Sequence, residues 1–267
     1  MTITTTGDQS PDKPFEAIGP KGVFAAELQK ALLDGTIDVA VHSLKDLPSE
    51  EPDGLAFAAV CERADPRDVL VSREGKTFEH LPGGAVIGTS SVRRHALVAI
   101  HRPELHTAPL RGNVDTRLRK VADGEVDAAI LAGAGLVRLG LTEQISDWLD
   151  PLRFFPAPGQ GALVVEARAD RLDGDLWWTR GAEHGPSRAA TDAERAFMRV
   201  IEGGCDVPLG AWARYEQDKL VVDAFLSTPS GDRYMIDRVR GGDPAAAGAE
   251  LAQRMLRAGA AKLTAGS

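Results

Sequence analysis

The sequence has 267 residues, of which 43% are hydrophobic and 26% are charged, and its formal net charge is −8. This composition is typical of a globular protein with one to three domains, and the acidic balance argues against general nucleic-acid binding. Two cysteines far apart give neither a disulfide framework nor a zinc site, and no apolar run is long enough for a membrane span.

The first two thirds of the chain predict strands that alternate with helices. Helices are expected at 23–33, from 92 onward and at 114–122. Strands are expected from residue 3 and at 37–42, 55–60, 69–71, 85–87, 105–110, 126–131 and 162–167. This alternation favours mostly parallel sheets with helices on both faces.

The last third has a different pattern. A helix at 191–201 is followed by predicted strands at 210–215, 220–226 and 233–238, with turn residues between them. A helix at 245–263 ends the chain. We therefore expect a small α+β domain built on an antiparallel meander.

Cys205 lies in a kinked turn after two glycines and before Pro208. Little side-chain bulk surrounds this thiol, so it could carry a covalent group or simply be a free thiol. Cys61 ends an apolar run and is expected to be a small core residue.

Three segments place polar and charged residues just after a predicted strand, at 42–48, 88–94 and 110–117. Arg93 and Arg94 fall in a first helical turn, where the helix dipole disfavours cations. A bound anion would offset that mismatch, and capped helices with solvated arginines are the alternative. Turns from adjacent parallel strands would converge at one edge of the sheet, where open α/β sheets bind ligands.

Asp46 follows Lys45 directly, so its carboxylate is held near a cation. Such a carboxylate can stabilise a developing positive charge or move protons. A surface ion pair is the alternative.

Together these segments resemble the hydroxymethylbilane synthase (porphobilinogen deaminase) family. The matching motifs are Gly-Val-Phe at 22–24, Asp-Val-Ala-Val-His-Ser-Leu-Lys-Asp-Leu-Pro at 38–48, Gly-Thr-Ser-Ser-Val-Arg-Arg at 88–94, Leu-Arg-Gly-Asn-Val-Asp-Thr-Arg at 110–117, Pro-Gly-Gln-Gly-Ala at 158–162 and Gly-Gly-Cys at 203–205. They occur in the family's order and cover nearly the whole chain.

The resemblance implies a cytoplasmic, monomeric transferase of heme and other tetrapyrrole biosynthesis. It would condense four porphobilinogen molecules head to tail, release ammonia and free hydroxymethylbilane, without a metal, nucleic acid or membrane. It also implies two periplasmic-binding-protein-like lobes and a small C-terminal α+β domain. The implied bounds are 1–62 with 161–181, 66–156, and 185–267, and a lid is expected at 7–20.

The resemblance also implies the site residues. Asp46 would be catalytic, and Cys205 would carry a dipyrromethane cofactor through a thioether bond. Further cofactor contacts fall on Ser43, Lys45, Thr89, Ser90, Ser91, Arg93, Arg94, Arg111, Gly112 and Arg117. Substrate contacts fall on Lys21, Arg138 and Gln160.

One part of the family pattern has no counterpart. The family's first strand and helix are not matched, so the first lobe is expected to be N-terminally truncated by about 40–50 residues. Either a misassigned start codon or a real truncation would explain the unmatched segment. The alternatives to the transferase are a two-lobed anion-binding protein without catalysis and an inactive truncated homologue.

Overall fold

The computed structural model describes residues 23–201 and 207–264. The helices are α1 (Val23–Leu33), α2 (Val92–His101), α3 (Val114–Ala122), α4 (Gly133–Arg138), α5 (Gly185–Ile201), α6 (Pro244–Arg257) and α7 (Ala261–Thr264). The strands are β1 (Val39–Ser43), β2 (Leu55–Val60), β3 (Asp68–Ser72), β4 (Val86–Gly88), β5 (His106–Ala108), β6 (Ala128–Ala132), β7 (Asp147–Trp148), β8 (Leu163–Arg168), β9 (Leu209–Glu216), β10 (Lys219–Ser227) and β11 (Tyr234–Arg240). The expected strand from residue 3 and the expected lid lie outside these residues.

The first sheet has the order β1-β8-β2, and we call it the first lobe together with α1. β8 runs antiparallel to both neighbours, so the prediction of mostly parallel pairing is wrong for the described strands of this sheet. The reason lies in the connections. β2 runs toward the second sheet and β8 returns from it, so the two strands must point in opposite directions.

The second sheet has the order β5-β4-β6-β3-β7 and, with helices α2 to α4, forms the second lobe. β4 pairs in parallel with β5 and β6, whereas β3 pairs antiparallel with β6 and β7. This sheet is therefore mixed and not mostly parallel, because β3 enters from the first lobe. The α/β class is confirmed.

The third sheet is the expected antiparallel meander, in the order β11-β10-β9. Gln217 and Asp218 both have positive φ, of 49° and 62°, as a tight hairpin turn requires. One face of the sheet packs on α5 and α6. These helices cross so closely that a Cβ at Gly248 would overlap the main chain of α5. The last helix is shorter than predicted, since α6 ends at Arg257 and Gly259 has a positive φ of 103°.

Two segments of the described chain connect the lobes, 61–67 and 156–162. Gly161 has a φ of 89°, and a Cβ there would lie 2.5 Å from the carbonyl oxygen of Ala64, so only glycine fits this crossing. Cys61, expected in the core, is only half-buried because it lies at the exit from β2. The domain bounds given by the resemblance stay a prediction.

Within the described part of the chain, no helix combines the length and apolar character needed to cross a bilayer.

Candidate active site

The turns after β4 and β5 meet, as the sequence predicts for adjacent parallel strands. The Ser90 hydroxyl donates to the carbonyl oxygen of Leu110 and accepts from its N–H, both at 3.1 Å. Ser91 caps α2 by accepting from the N–H of Arg94. Asn113 caps α3 in the same way, so both helix starts are capped.

Asp68 lies beneath these turns at the start of β3 and is completely buried. It accepts from Arg93 Nη1 at 2.8 Å, from Arg94 Nη2 at 2.7 Å and from Gln160 Nε2 at 2.8 Å. Burial alone would raise the pKa of Asp68, but the charges and hydrogen bonds of the two arginines outweigh it and hold the pKa well below its usual range. Asp68 is therefore a permanent internal anion.

The two arginines have different surroundings. Arg93 also donates to the carbonyl oxygen of Phe155 and does not line the cleft described below. Arg94 donates to the carbonyl oxygen of Ile130 at 2.9 Å and does line the cleft. The helix-dipole mismatch predicted from the sequence is thus offset at least partly by Asp68, which belongs to the protein itself.

Lys45 and Asp46 lie in the short 3-10 helix Leu44–Asp46 that follows β1. Lys45 is half-buried and Asp46 is exposed. Desolvation lowers the pKa of Lys45 to about 8; Asp46 opposes this shift and Arg94 adds to it. The ammonium group is thus poorly compensated by the protein alone, and an anionic ligand would stabilise it.

A cleft of about 200 Å³ opens between the lobes at this point. Its charged lining residues are Lys45, Arg94, Arg117 and Arg138. Burial lowers the pKa of Arg117 and the nearby Arg94 lowers it further, whereas the charge of Asp46 opposes both effects. The described lining thus has four cations and no carboxylate of its own.

The other predicted residues surround this cleft or lie below it. Gly112 lines it, with a φ of 105°, and its carbonyl accepts from Arg117 Nε at 2.7 Å. Arg138 reaches across to the carbonyl oxygen of Gly161 at 2.7 Å. Ser43 ends β1, the buried Thr89 accepts from the N–H of Ser91, and Arg111 is half-buried beside Gly112. Lys21 and Cys205 lie outside the described residues.

Gln160 is buried below the cleft and does not line it. Its amide nitrogen donates to Asp68 and to the carbonyl oxygen of Pro66. Its Oε1 has no hydrogen-bond partner among the described residues, and neither has Arg94 Nε. One acceptor and one donor near Asp68 are thus buried without a partner among the described residues.

Two family models match the sequence. "Porphobilinogen deaminase, dipyromethane cofactor binding domain" matches residues 1–174, and "Porphobilinogen deaminase, C-terminal domain" matches residues 189–257. The chain belongs to the porphobilinogen deaminase family. The solute-binding alternative is not favoured, because both family models match in order along one chain.

Curated relatives carry the same family name. The porphobilinogen deaminase of Desulforudis audaxviator is 47% identical over 265 residues, which are 98% of this chain and 85% of that protein. That of Chromobacterium violaceum is 48% identical, over 99% of this chain and 86% of that protein. A periplasmic sulfonate-binding protein of Methylobacillus flagellatus covers 66% of this chain and 52% of its own at 12% identity, with a TM-score of 0.35. This likeness is too weak to add to the fold described above.

The residues present fit the porphobilinogen deaminase cofactor. A dipyrromethane bears several carboxylates, which suit the four clustered cations of the cleft, and pyrrole N–H groups, which suit the exposed carboxylate of Asp46. A carboxylate of the cofactor would stabilise the protonated form of Lys45, which desolvation disfavours.

Sequence reasoning missed Asp68 and the ion pair of Arg63 with Glu194. Arg63 Nη1 lies 2.7 Å from Glu194 Oε1, and Glu194 is completely buried. The sequence signal for Asp68 was an acidic residue at the start of an otherwise apolar strand. Such a residue is seldom buried without a charged partner.

Proposed function

We propose that this chain condenses four porphobilinogen molecules head to tail, with release of ammonia, and frees hydroxymethylbilane by hydrolysis. One observation carries the proposal: Lys45, Arg94, Arg117 and Arg138 line one cleft beside the carboxylate of Asp46. Each porphobilinogen brings two carboxylates, so a growing product is a polyanion that needs such a lining.

The cationic residues would bind and orient the acidic side chains. Arg117 offers a planar guanidinium group that can hold a carboxylate through two hydrogen bonds, while Arg94, whose two terminal nitrogens are held by Ile130 and Asp68, adds its positive charge. Lys45 offers a single charge in a desolvated position. Arg138 would bind the incoming substrate at the rim, because it is exposed and yet anchored to Gly161.

The remaining cofactor contacts are proposed from the family motifs and from their place around the turns. The set is Ser43, Thr89, Ser90, Ser91, Arg93, Arg111 and Gly112, with Lys21 and Gln160 as further substrate contacts. Cys205 would form the covalent link. When bound, the dipyrromethane supplies the terminal pyrrole ring on which the product is built.

Asp46 would carry the chemistry. Loss of ammonia leaves a porphobilinogen-derived cation, and a carboxylate close to it lowers the energy of that positive charge. Asp46 is exposed next to the cleft residue Lys45, and its charge acts on both Lys45 and Arg117. It could also accept hydrogen bonds from pyrrole N–H groups and hold the proton that is lost when two rings join.

The domain bounds proposed are 1–62 with 161–181, 66–156, and 185–267. We also propose that the protein acts as a monomer in the cytoplasm, without nucleic acid or membrane.

Intact-mass measurement tests the proposal most directly. Purified protein should carry a mass excess equal to one dipyrromethane, and Cys205→Ala should lose it, whereas Cys61→Ala should keep it. Incubation with porphobilinogen should then yield hydroxymethylbilane. An unmodified, well-folded protein that binds porphobilinogen without turnover would contradict the proposal.

A further inference from the structure

Among the described residues, Asp68 is the one carboxylate that contacts both Arg93 and Arg94 of α2. Its two oxygens are shared among three donors, and Gln160 brings the 156–162 connection to the same carboxylate. No surface of Asp68 is exposed, so it is itself shielded from ligand. Asp68 can therefore affect the cleft only through the residues that it contacts.

The first neighbour is Arg94. Its Nη2 is fixed by Asp68 and its Nη1 by the carbonyl oxygen of Ile130, while the same side chain lines the cleft. A guanidinium held by two partners has few rotamers left, so it is oriented before a ligand arrives. Without the carboxylate only the carbonyl contact would remain.

The second residue that Asp68 affects is Lys45, through its charge. The groups that face Lys45 are Asp46, Arg94, Asp68 and Arg93, of which two are anions and two are cations. Asp68 favours the protonated form of Lys45, and it is the only buried anion of that group. Buried charges interact more strongly than exposed ones, because solvent screens them less.

We propose that Asp68 is a positioning residue, which orients Arg94 and serves as the internal counter-ion of Arg93, Arg94 and Lys45. The expected effect of Asp68 on turnover rests on the proposed function. Its expected effect on the protonation of Lys45 does not. Removal of the carboxylate would leave three cations close together, of which Lys45 and Arg94 line the cleft. They would repel each other and move the arginine that binds the acidic side chains.

Competitive labelling of Lys45 tests the proposal without any assay of activity. Purified full-length protein is treated with traces of acetic anhydride across a pH series, and the labelled peptide is quantified by mass spectrometry. Lysine reacts when it is deprotonated, so the midpoint reports the pKa of Lys45; in a Cys205→Ala background, which lacks the cofactor carboxylates, it is expected near pH 8. In Asp68→Asn the midpoint should fall by about one unit, because an attractive charge is lost.

Asp223→Asn is the matched control. Asp223 is also buried, and it accepts from Arg214 Nη1 and Arg238 Nε at 2.6 Å each, but in the third sheet. It should leave the Lys45 midpoint unchanged. An unshifted midpoint in Asp68→Asn, or an equal shift in both variants, would overturn the proposal.

Turnover supplies the second readout. In Asp68→Asn the KM for porphobilinogen should rise about tenfold or more, and the alkaline limb of kcat/KM should move to lower pH together with the Lys45 midpoint. If Asp68→Asn is recovered only unfolded, Asp68→Glu carries the test. There the retained charge should keep the midpoint, while the displaced Arg94 raises KM; an unchanged KM would overturn the positioning role. A wild-type protein without turnover would contradict the proposed function alone, and the labelling result would still stand.

Discussion

Glu194 lies where α5, the connecting segments and the third sheet meet, and it is completely buried. Its carboxylate accepts four hydrogen bonds: from Arg63 Nη1 at 2.7 Å, Arg63 Nη2 at 3.0 Å, Gly159 N–H at 2.7 Å and Ala213 N–H at 2.7 Å. The Arg63 side chain is only 9% exposed, so water cannot replace the carboxylate easily.

Glu194→Gln keeps the shape of the side chain and removes its charge. Breaking a buried ion pair by removing one partner costs about 3–5 kcal/mol. The free energy of unfolding of a whole domain is about 5–15 kcal/mol, so a loss of this size should be measurable in a urea titration. In a thermal scan it corresponds to a Tm lowered by roughly 6–20 °C.

The control is Asp170→Asn, which removes an exposed partner of Arg168 and should leave the Tm unchanged. Combining Glu194→Gln with Arg63→Met should recover part of the loss, because no uncompensated charge remains. A Glu194→Gln protein with less than about 1 kcal/mol of destabilisation would refute the reasoning, since it would mean that water or another group satisfies Arg63.

Three further outcomes are expected. Asp46→Asn should keep the cofactor by intact mass but lose about 10²–10³-fold in kcat, as removal of an electrostatic stabiliser does; a near-normal kcat would remove Asp46 from its role. Arg117→Met should raise the KM for porphobilinogen about tenfold to a hundredfold, whereas Arg119→Met, on the exposed side of α3, should not; equal effects would argue against a specific cleft contact. Gly248→Ala should cost about 1–3 kcal/mol by overpacking the crossing of α5 and α6, while Gly181→Ala, with open space around it, should cost little in the same urea titration.

Local patterns in the sequence predicted most of the elements. The period of apolar residues and the alternation of strands with helices predicted α1 and α3 with their observed bounds. The turn at Gln217 and Asp218 likewise predicted the third sheet as a meander. These signals depend only on residues that are close together in the sequence, so one sequence is enough to show them.

Pairing direction was not predictable in the same way. Whether β8 runs parallel or antiparallel to β2 depends on where the chain goes between them, through an entire second lobe. The pattern of apolar residues in β8 is compatible with either direction. The end of α6 was missed for a different reason, because its alanine-rich composition continues past the residue where Gly259 interrupts the helix.

The candidate site was predictable as a set of turns but not as a network. The motif at 88–94 suggested an anion site, and Arg94 does line the cleft. The partner that fixes it, Asp68, is 26 residues away in the sequence, on a strand whose own pattern is apolar. Charge compensation of this kind is a property of three-dimensional packing, which residue spacing does not encode.

The connecting segments also bear on how the protein can move. Two-lobed proteins usually close around ligands by bending at a hinge in such segments. Here the segments are bonded to each other, through Ala64 N–H to the carbonyl oxygen of Gly161 and Arg63 Nε to that of Gln160, at 3.1 and 2.8 Å. Glu194 ties both to α5, so bending there would break several buried, charge-assisted bonds together. Helix α5 therefore stiffens this crossing, and we expect bending at 61–67 and 156–162 to be costly while a product lengthens in the cleft.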